Sequence, residues 1–150
     1  MTKFPISPIF IPANKLEYVD KALNSGADGI IFDLEDSVLQ EDKISARDNL
    51  YAFLVKNSLD ILSYIRINDL NTETGITDLD FFKDLDYGII IPKFESDKDF
   101  IKIPDKLSII PLIETPLAIK NLGKIASGRN VTGLAFGAAD LSSIIGSEMN

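Results

Sequence analysis

The chain has 150 residues, carries a net charge of -8 and contains neither cysteine nor histidine. Without cysteine it has no disulfide bonds, thiolate zinc sites or cysteine nucleophiles, and without histidine it has no Ser-His-Asp arrangement. The negative charge opposes nonspecific binding to nucleic acid and to anionic lipid. Any chemistry within this chain must therefore use carboxylates, Arg, Lys or a cofactor.

Hydrophobic residues make up 45% of the chain and are spread along its length, which predicts a globular unit with a sizeable core. The longest apolar runs, such as residues 107–113, are interrupted by Ser108 and Pro111 and are far shorter than the roughly 20 residues that cross a bilayer. The first residues lack the apolar stretch and cleavage site of a signal peptide. We therefore expect a cytoplasmic protein without membrane or nucleic-acid partners.

Short apolar runs alternate with segments whose apolar residues recur at helical spacing. The runs are nearly uninterrupted in their apolar character, which is typical of parallel strands that are covered on both faces. No linker or low-complexity tract divides the chain, so we predict a single domain over residues 1–150. The predicted strands are residues 8–11, 29–34, 62–67, 88–91, 107–113 and 131–136.

Three local signals predict where helices begin and end. Asn14 can cap the first helix and Gly26 can end it. Thr115 followed by Pro116 predicts a cap and a first helical residue after the fifth strand.

Polar residues lie at or near the carboxyl ends of five of these strands. An α/β sheet can be open and doubly wound or closed into a barrel, and only in a barrel do all these ends converge on one face. The pattern therefore favours a TIM-type (β/α)8 barrel, of which this chain supplies about the first six β/α units. The polar residues are Asp33, Glu35, Asp36, Arg66, Asn68, Lys93, Glu114 and Asp140.

Glu114 and Asp140 follow adjacent predicted strands and are candidates to share one metal ion. Mg²⁺ takes one or two protein carboxylates and leaves its other positions to water and substrate oxygens. The alternative is that Asp140 caps a helix and Glu114 lies in a solvated loop.

Arg66 lies in an apolar strand, where its charge needs a carboxylate or an anionic ligand as partner. A structural ion pair with Asp33 or Glu35 and a role in binding substrate both remain open. At least one of the acids that follow the second strand should point inward. Asp33 can pair with Lys93 or Arg66, and Asp36 can lie on the surface.

The stretch that contains Gly137 and Ala138 allows the backbone to approach a ligand closely, and we expect these two residues to contact substrate. It matches neither a Walker loop nor the GxGxxG fingerprint of dinucleotide-binding proteins.

Seven segments, in order and at compatible spacing, resemble the HpcH/HpaI aldolase and citrate lyase beta subunit family, and within it the citrate-lyase-like branch. They are residues 10–14 (FIPAN), 26–38 (GADGIIFDLEDSV), Lys43 with Ala46 and Arg47, 66–68 (RIN), 92–96 (PKFES), 112–115 (LIET) and 136–141 (FGAADL). The chain departs from this branch at Ala139, where many members have Glu, and at Lys15, where many have Arg.

The resemblance implies a (β/α)8 barrel in which Glu114 and Asp140 hold Mg²⁺ and Arg66 binds the carboxylate or oxo group of the substrate. Members cleave 3-hydroxyacyl-CoA thioesters such as citryl-CoA, citramalyl-CoA or malyl-CoA to an acyl-CoA and a 2-oxoacid, or run the reverse condensation. We expect Lys93 and the remaining acids to support this site. The acids are Asp33, Glu35 and Asp36.

Two other functions remain possible. Members of the HpaI side of the family are aldolases that act on free 2-oxo-4-hydroxy acids, and a partial barrel can also act as a non-catalytic structural or interaction piece. Such barrels run to roughly 250 residues, so we expect two strands and a C-terminal region to be missing after Asn150. We therefore expect the chain to associate with copies of itself, with a complementing segment or with citrate lyase subunits, and to have little activity alone.

Overall fold

A computed structural model describes residues 5–146, in which a parallel sheet is interleaved with helices. The strands are β1 (Pro8–Pro12), β2 (Gly29–Asp33), β3 (Leu62–Arg66), β4 (Gly88–Ile91), β5 (Ile109–Ile113) and β6 (Ala135–Phe136). The α-helices are α1 (Val19–Leu23), α2 (Lys43–Lys56), α3 (Glu73–Phe82), α4 (Pro116–Lys120), α5 (Leu122–Ala126) and α6 (Ala138–Ile145). Short 3₁₀ turns precede α1 and α2 and connect β4 to β5.

The strand order distinguishes a barrel from an open doubly wound sheet. All six strands are parallel and lie side by side in chain order, β1-β2-β3-β4-β5-β6. A doubly wound sheet would reverse its order at a switch point, whereas a barrel adds each strand on the same side of the last. The prediction of six β/α units of a TIM-type (β/α)8 barrel is therefore confirmed.

Both faces of the sheet are apolar, as the uninterrupted strand sequences predict. Along β2, Ile30 and Phe32 belong to the large cluster between the sheet and the helices. Ile31 points to the other face, into the concave interior. This inner cluster consists of Ile31, Tyr64, Ile90, Ile110 and Leu112. Each fully buried Ile contributes about 1.5–3 kcal/mol to folding, so the two clusters supply most of the driving force.

The predicted strand limits are accurate for the first four strands and less so for the last two. The fifth strand begins at Ile109, two residues later than predicted. The sixth contains only Ala135 and Phe136, with a separate bridge between Val131 and Ile109. Gly133 lies between these two short pieces, and glycine weakens the interior of a strand because it has no side chain to pack.

One predicted helix cap is confirmed and another is wrong. The Thr115 hydroxyl accepts the backbone N–H of Ala118 at 3.1 Å, and Pro116 begins α4 as predicted. Asn14 does not cap the first helical segment, because a backbone turn from Pro12 to Lys15 places Lys15 at that position, without a side-chain hydrogen bond.

The predicted end of the first helix is close to the observed one. Helix α1 ends at Leu23, and Gly26 follows in the left-handed conformation with φ of 85°. Within residues 5–146, no helix is both long enough and apolar enough to span a membrane.

Candidate active site

A cavity of about 400 Å³ opens where β3, β5 and β6 end. Its floor is the inner apolar cluster, and its rim carries Arg66, Asp36, Glu114 and Asp140. Gly137, Ala138 and Ala139 complete the wall on the β6 side. The structure therefore brings four of the predicted strand-end residues together at one end of the sheet, whereas Asp33, Glu35, Asn68 and Lys93 do not line this cavity.

A second and larger cavity, of about 680 Å³, lies at the amino ends of β3, β4 and β5. Its charged side chains include Lys106 and Asp84, which pair with each other at 2.7 Å on the surface. Active sites of β/α barrels lie at the opposite, carboxyl end of the strands. The smaller cavity is therefore the candidate active site.

Glu114 and Asp140 are in direct contact at the rim of this cavity. Glu114 directly follows β5 and is only 3% exposed, so it is not a solvated loop residue. Asp140 lies in the first turn of α6, and Gly137 rather than Asp140 occupies the cap position. Burial raises the pKa of Glu114, and the charge and hydrogen bond of Asp140 raise it further, although the backbone N–H of Lys93 opposes this.

The Glu114 carboxylate is held from two sides. One oxygen, Oε1, accepts the backbone N–H of Lys93 at 2.7 Å. The other side packs against Gly137, where an added Cβ would lie 2.6 Å from Glu114 Cβ and 2.7 Å from Oε2. Gly137 therefore makes room for the carboxylate, a role that the sequence did not indicate.

The donor set of this acid pair fits Mg²⁺. Two adjacent carboxylates supply the hard oxygen ligands that this ion prefers, and its usual sites leave several positions to water and substrate. Across residues 5–146, no group of three or more acidic, His or Cys side chains could hold a metal ion. Glu114 and Asp140 are the pair that the sequence predicts as metal ligands, and both line the rim of this cavity.

Arg66 is tied to the acids that follow β2. Its Nε and Nη2 atoms donate to the two carboxylate oxygens of Asp33 at 2.7 and 2.8 Å. Its Nη1 lies 3.2 Å from Glu35 and 3.3 Å from Asp36, and the guanidinium stacks over Phe10 at 5.2 Å. Of the partners considered for Asp33, the structure selects Arg66 and not Lys93, because Asp33 and Arg66 are register partners on adjacent strands.

The ion pair shifts the ionisation of both partners. Burial by itself would raise the pKa of Asp33, but hydrogen bonds from Arg66 and Ser37 lower it below its ordinary value. Burial by itself would lower the pKa of Arg66, but its bonds to Asp33 and the nearby acidic charges raise it above its ordinary value. Both groups therefore stay charged at neutral pH.

Glu35 behaves differently. Burial raises its pKa to about 7, and the charges of Asp36 and Glu114 add to this effect while Arg66 and Lys93 oppose it. Because the folded chain binds this proton more tightly than an unfolded chain, whose glutamates titrate near 4.5, Glu35 makes the fold less stable as the pH rises from about 4.5 to 7.

We expect Glu35→Gln to remove this pH dependence. Between pH 5 and pH 8, the free energy of unfolding of the variant should rise relative to wild type by about 1–2 kcal/mol, after allowance for solvent screening. Urea unfolding of both proteins at several pH values measures this difference. Glu41→Gln, at an exposed position, is the matched control and should track wild type. A constant difference between Glu35→Gln and wild type would contradict the assignment.

A buried polar network lies behind the acidic loop. Lys43 Nζ donates to the carbonyls of Leu34 and Glu35 at 2.9 and 2.7 Å and to Asn68 Oδ1 at 2.6 Å. The Asn68 amide donates to Asp78 Oδ2 at 2.7 Å, and Asp78 also pairs with Arg47 at 3.4 Å. Burial lowers the pKa of Lys43, although the surrounding carboxylates oppose this.

This network joins α2, α3 and the loops after β2 and β3, and it fixes the backbone from which Glu35 projects. Patterns in the sequence predict no role for Lys43 and do not single out Asp78. The helical spacing could have indicated a buried role for Asp78, because it falls on the buried face of α3 with Gly75, Leu79 and Phe82. An acid on a buried helix face requires a polar partner.

The sequence and the fold are both similar to those of known proteins. Residues 7–150 match the HpcH/HpaI aldolase/citrate lyase family. The chain belongs to this family. Its relatives include a (3S)-malyl-CoA thioesterase of Cereibacter sphaeroides, which is 35% identical over 91% of this chain and 50% of its own length. The chain thus spans about half the length of this relative.

Solved structures of family members superpose on the fold. The citrate lyase beta subunit of Mycobacterium tuberculosis, complexed with oxaloacetate and magnesium, has a TM-score of 0.81 at 30% identity and covers 95% of this chain and 62% of its own. Protein CitE from the same organism, in complex with magnesium, acetoacetate and coenzyme A, has a TM-score of 0.80 at 30% identity. The match covers 95% of this chain and 52% of the CitE chain.

Proposed function

We propose that this chain forms the Mg²⁺-binding and substrate-binding part of a carbon–carbon lyase that cleaves a 3-hydroxyacyl-CoA to an acyl-CoA and a 2-oxoacid. The observation that carries the proposal is the hydrogen-bond contact between Glu114 and Asp140 at the rim of an apolar cavity that Arg66 also lines. This arrangement offers two metal ligands and one fixed cation within a single site.

The relatives support the nature of the ligands. Magnesium is present in solved structures of family members together with oxaloacetate, acetoacetate or coenzyme A, and another relative is named for a malyl-CoA substrate. Oxaloacetate is a 2-oxoacid, the class of product proposed here, and coenzyme A is the group carried by the proposed substrate and by the other product.

The reaction breaks the bond between the carbon that bears the hydroxyl and the α-carbon of the thioester. The hydroxyl proton passes to a base, the C–O group becomes the carbonyl group of the 2-oxoacid, and the electron pair of the broken bond moves to the thioester as an enolate. The enolate then takes up a proton to give the acyl-CoA. When bound, Mg²⁺ would polarise the oxygen that becomes this carbonyl oxygen.

Arg66 would orient the carboxylate of the 2-oxoacid part. Arg66 lines the cavity, and a substrate carboxylate would take the place of Asp36, the exposed acid that lies 3.3 Å from Nη1. The bond to Asp33 holds the guanidinium plane in place for this contact. Without histidine, the base is a carboxylate, a water molecule or a group from another chain.

Cleavage assays on a catalytically complete form of the protein test this proposal. We expect cleavage of one of citryl-CoA, citramalyl-CoA or malyl-CoA that stops with a chelator and returns with Mg²⁺. Asp140→Asn should lose this activity, whereas Asp60→Asn, an exposed acid before β3, should keep it. Cleavage of free 2-oxo-4-hydroxy acids alone would favour the aldolase, and no metal-dependent activity would favour a non-catalytic piece.

Association with further chains is also proposed. Within the described residues β1 and β6 each pair with only one neighbouring strand. Phe10 on β1 and Phe136 on β6 are 52% and 63% exposed. Unpaired strand edges with exposed aromatic residues favour association. Light scattering should show species larger than one chain, and a monodisperse monomer with full lyase activity would contradict this.

A further inference from the structure

Lys93 has a backbone conformation that is uncommon for its residue type. It follows β4 in the turn formed with Pro92 and has φ of 51°, the one positive φ outside glycine among residues 5–146. A left-handed backbone costs a residue with a Cβ roughly 1–2 kcal/mol. Such a conformation persists only where neighbouring contacts hold it, and it occurs often at functional sites.

The contact that accompanies this conformation is the hydrogen bond to Glu114. The Lys93 N–H points at Oε1 at 2.7 Å, from a turn at the end of the neighbouring strand. Gly137 closes the opposite side of the carboxylate. The orientation of Glu114 relative to Asp140 is thus set by one backbone donor and one glycine, while the Lys93 side chain itself is exposed.

We propose that the left-handed backbone of Lys93 is a positioning device for the metal-binding carboxylate, and that its ammonium group is dispensable for this task. The inference rests on the proposed Mg²⁺ site. The N–H fixes Oε1, so that Oε2 is directed away from the turn and remains available to an ion shared with Asp140. The ammonium group, being positive, opposes the binding of a cation nearby.

Two substitutions at Lys93 separate the backbone from the side chain. Lys93→Gly removes the ammonium and adopts positive φ without strain, whereas Lys93→Val also removes the ammonium but disfavours positive φ because it is β-branched. Calorimetric titration with Mg²⁺ should show that Lys93→Gly binds as tightly as wild type or more tightly. Lys93→Val should bind about tenfold more weakly than Lys93→Gly.

A metal-free measurement tests the same contact. Lys93→Val should melt at least about 4 °C below Lys93→Gly. In the Glu114→Ala background this difference should shrink by about half or more, because the turn no longer has the carboxylate to hold it and can relax. Lys93→Val and Lys93→Gly lose the same charge, so electrostatics cancel in the comparison.

The outcomes are distinguishable. Equal Mg²⁺ affinity of the two variants, or an equal melting difference in both backgrounds, would overturn the positioning role. A loss of affinity in Lys93→Gly as large as in Lys93→Val would show that the ammonium is required and would also overturn it. If the wild-type chain bound no Mg²⁺, the proposed metal site would fail, and the melting comparison would still decide whether Lys93 holds Glu114.

Discussion

Gly137→Ala is expected to destabilise the chain by about 1–3 kcal/mol and to weaken Mg²⁺ binding by at least about tenfold. The new Cβ would lie 2.6 Å from Glu114 Cβ and 2.7 Å from Oε2, and both distances are shorter than non-bonded contacts of a Cβ atom allow. Either the start of α6 or the Glu114 side chain must move. Because Asp140 lies on α6 and Glu114 on the neighbouring unit, either movement changes the spacing of the two carboxylates.

Urea unfolding and calorimetric titration measure the two effects, and the chain offers a matched control. Gly123 lies within α5, where an added Cβ would meet no atom of another part of the chain within 4 Å. Gly123→Ala should therefore stabilise the chain by up to about 1 kcal/mol, since alanine is the better helix former, and should leave Mg²⁺ binding unchanged. Wild-type affinity in Gly137→Ala would show that the glycine does not shape the acid pair.

Arg66→Lys is expected to reduce turnover by about 100-fold in a catalytically complete form while the chain remains folded. The guanidinium uses one edge for both oxygens of Asp33 and turns Nη1 toward Glu35 and Asp36. An ammonium group keeps the charge but cannot bind two carboxylates in these fixed directions. We expect a loss of about 1–3 kcal/mol of stability, smaller than for complete removal of a buried partner.

Steady-state kinetics and thermal unfolding test this prediction together. Arg129→Lys is the matched control, because Arg129 also contacts both oxygens of an aspartate, Asp105, but does so on the surface. Exposed ion pairs contribute little, so this variant should match wild type in both measurements. Full turnover in Arg66→Lys with a large loss of stability would mean that Arg66 serves the fold alone.

Much of the fold and part of the site can be predicted from the sequence, because these features depend on local chemistry. Uninterrupted apolar runs such as Ile89, Ile90 and Ile91 predict buried parallel strands. Successive side chains of a strand point to opposite faces, so they are all apolar only where both faces of the sheet are covered. The Thr115 cap is also predictable, because its hydroxyl bonds to the backbone of a residue only three positions away. The position of Glu114 and Asp140 after successive strands predicts the end of the barrel at which they lie.

The tertiary structure decided which of these groups touch and how they are held. Asp33 pairs with Arg66 because the register of β2 and β3 makes them neighbours. No local sequence pattern encodes this register. The contact of Gly137 with Glu114 and the left-handed turn at Lys93 arise where separate β/α units meet. Sequence patterns report on residues a few positions apart, whereas these contacts join residues more than 20 positions apart, whose distance is set by the curvature of the sheet.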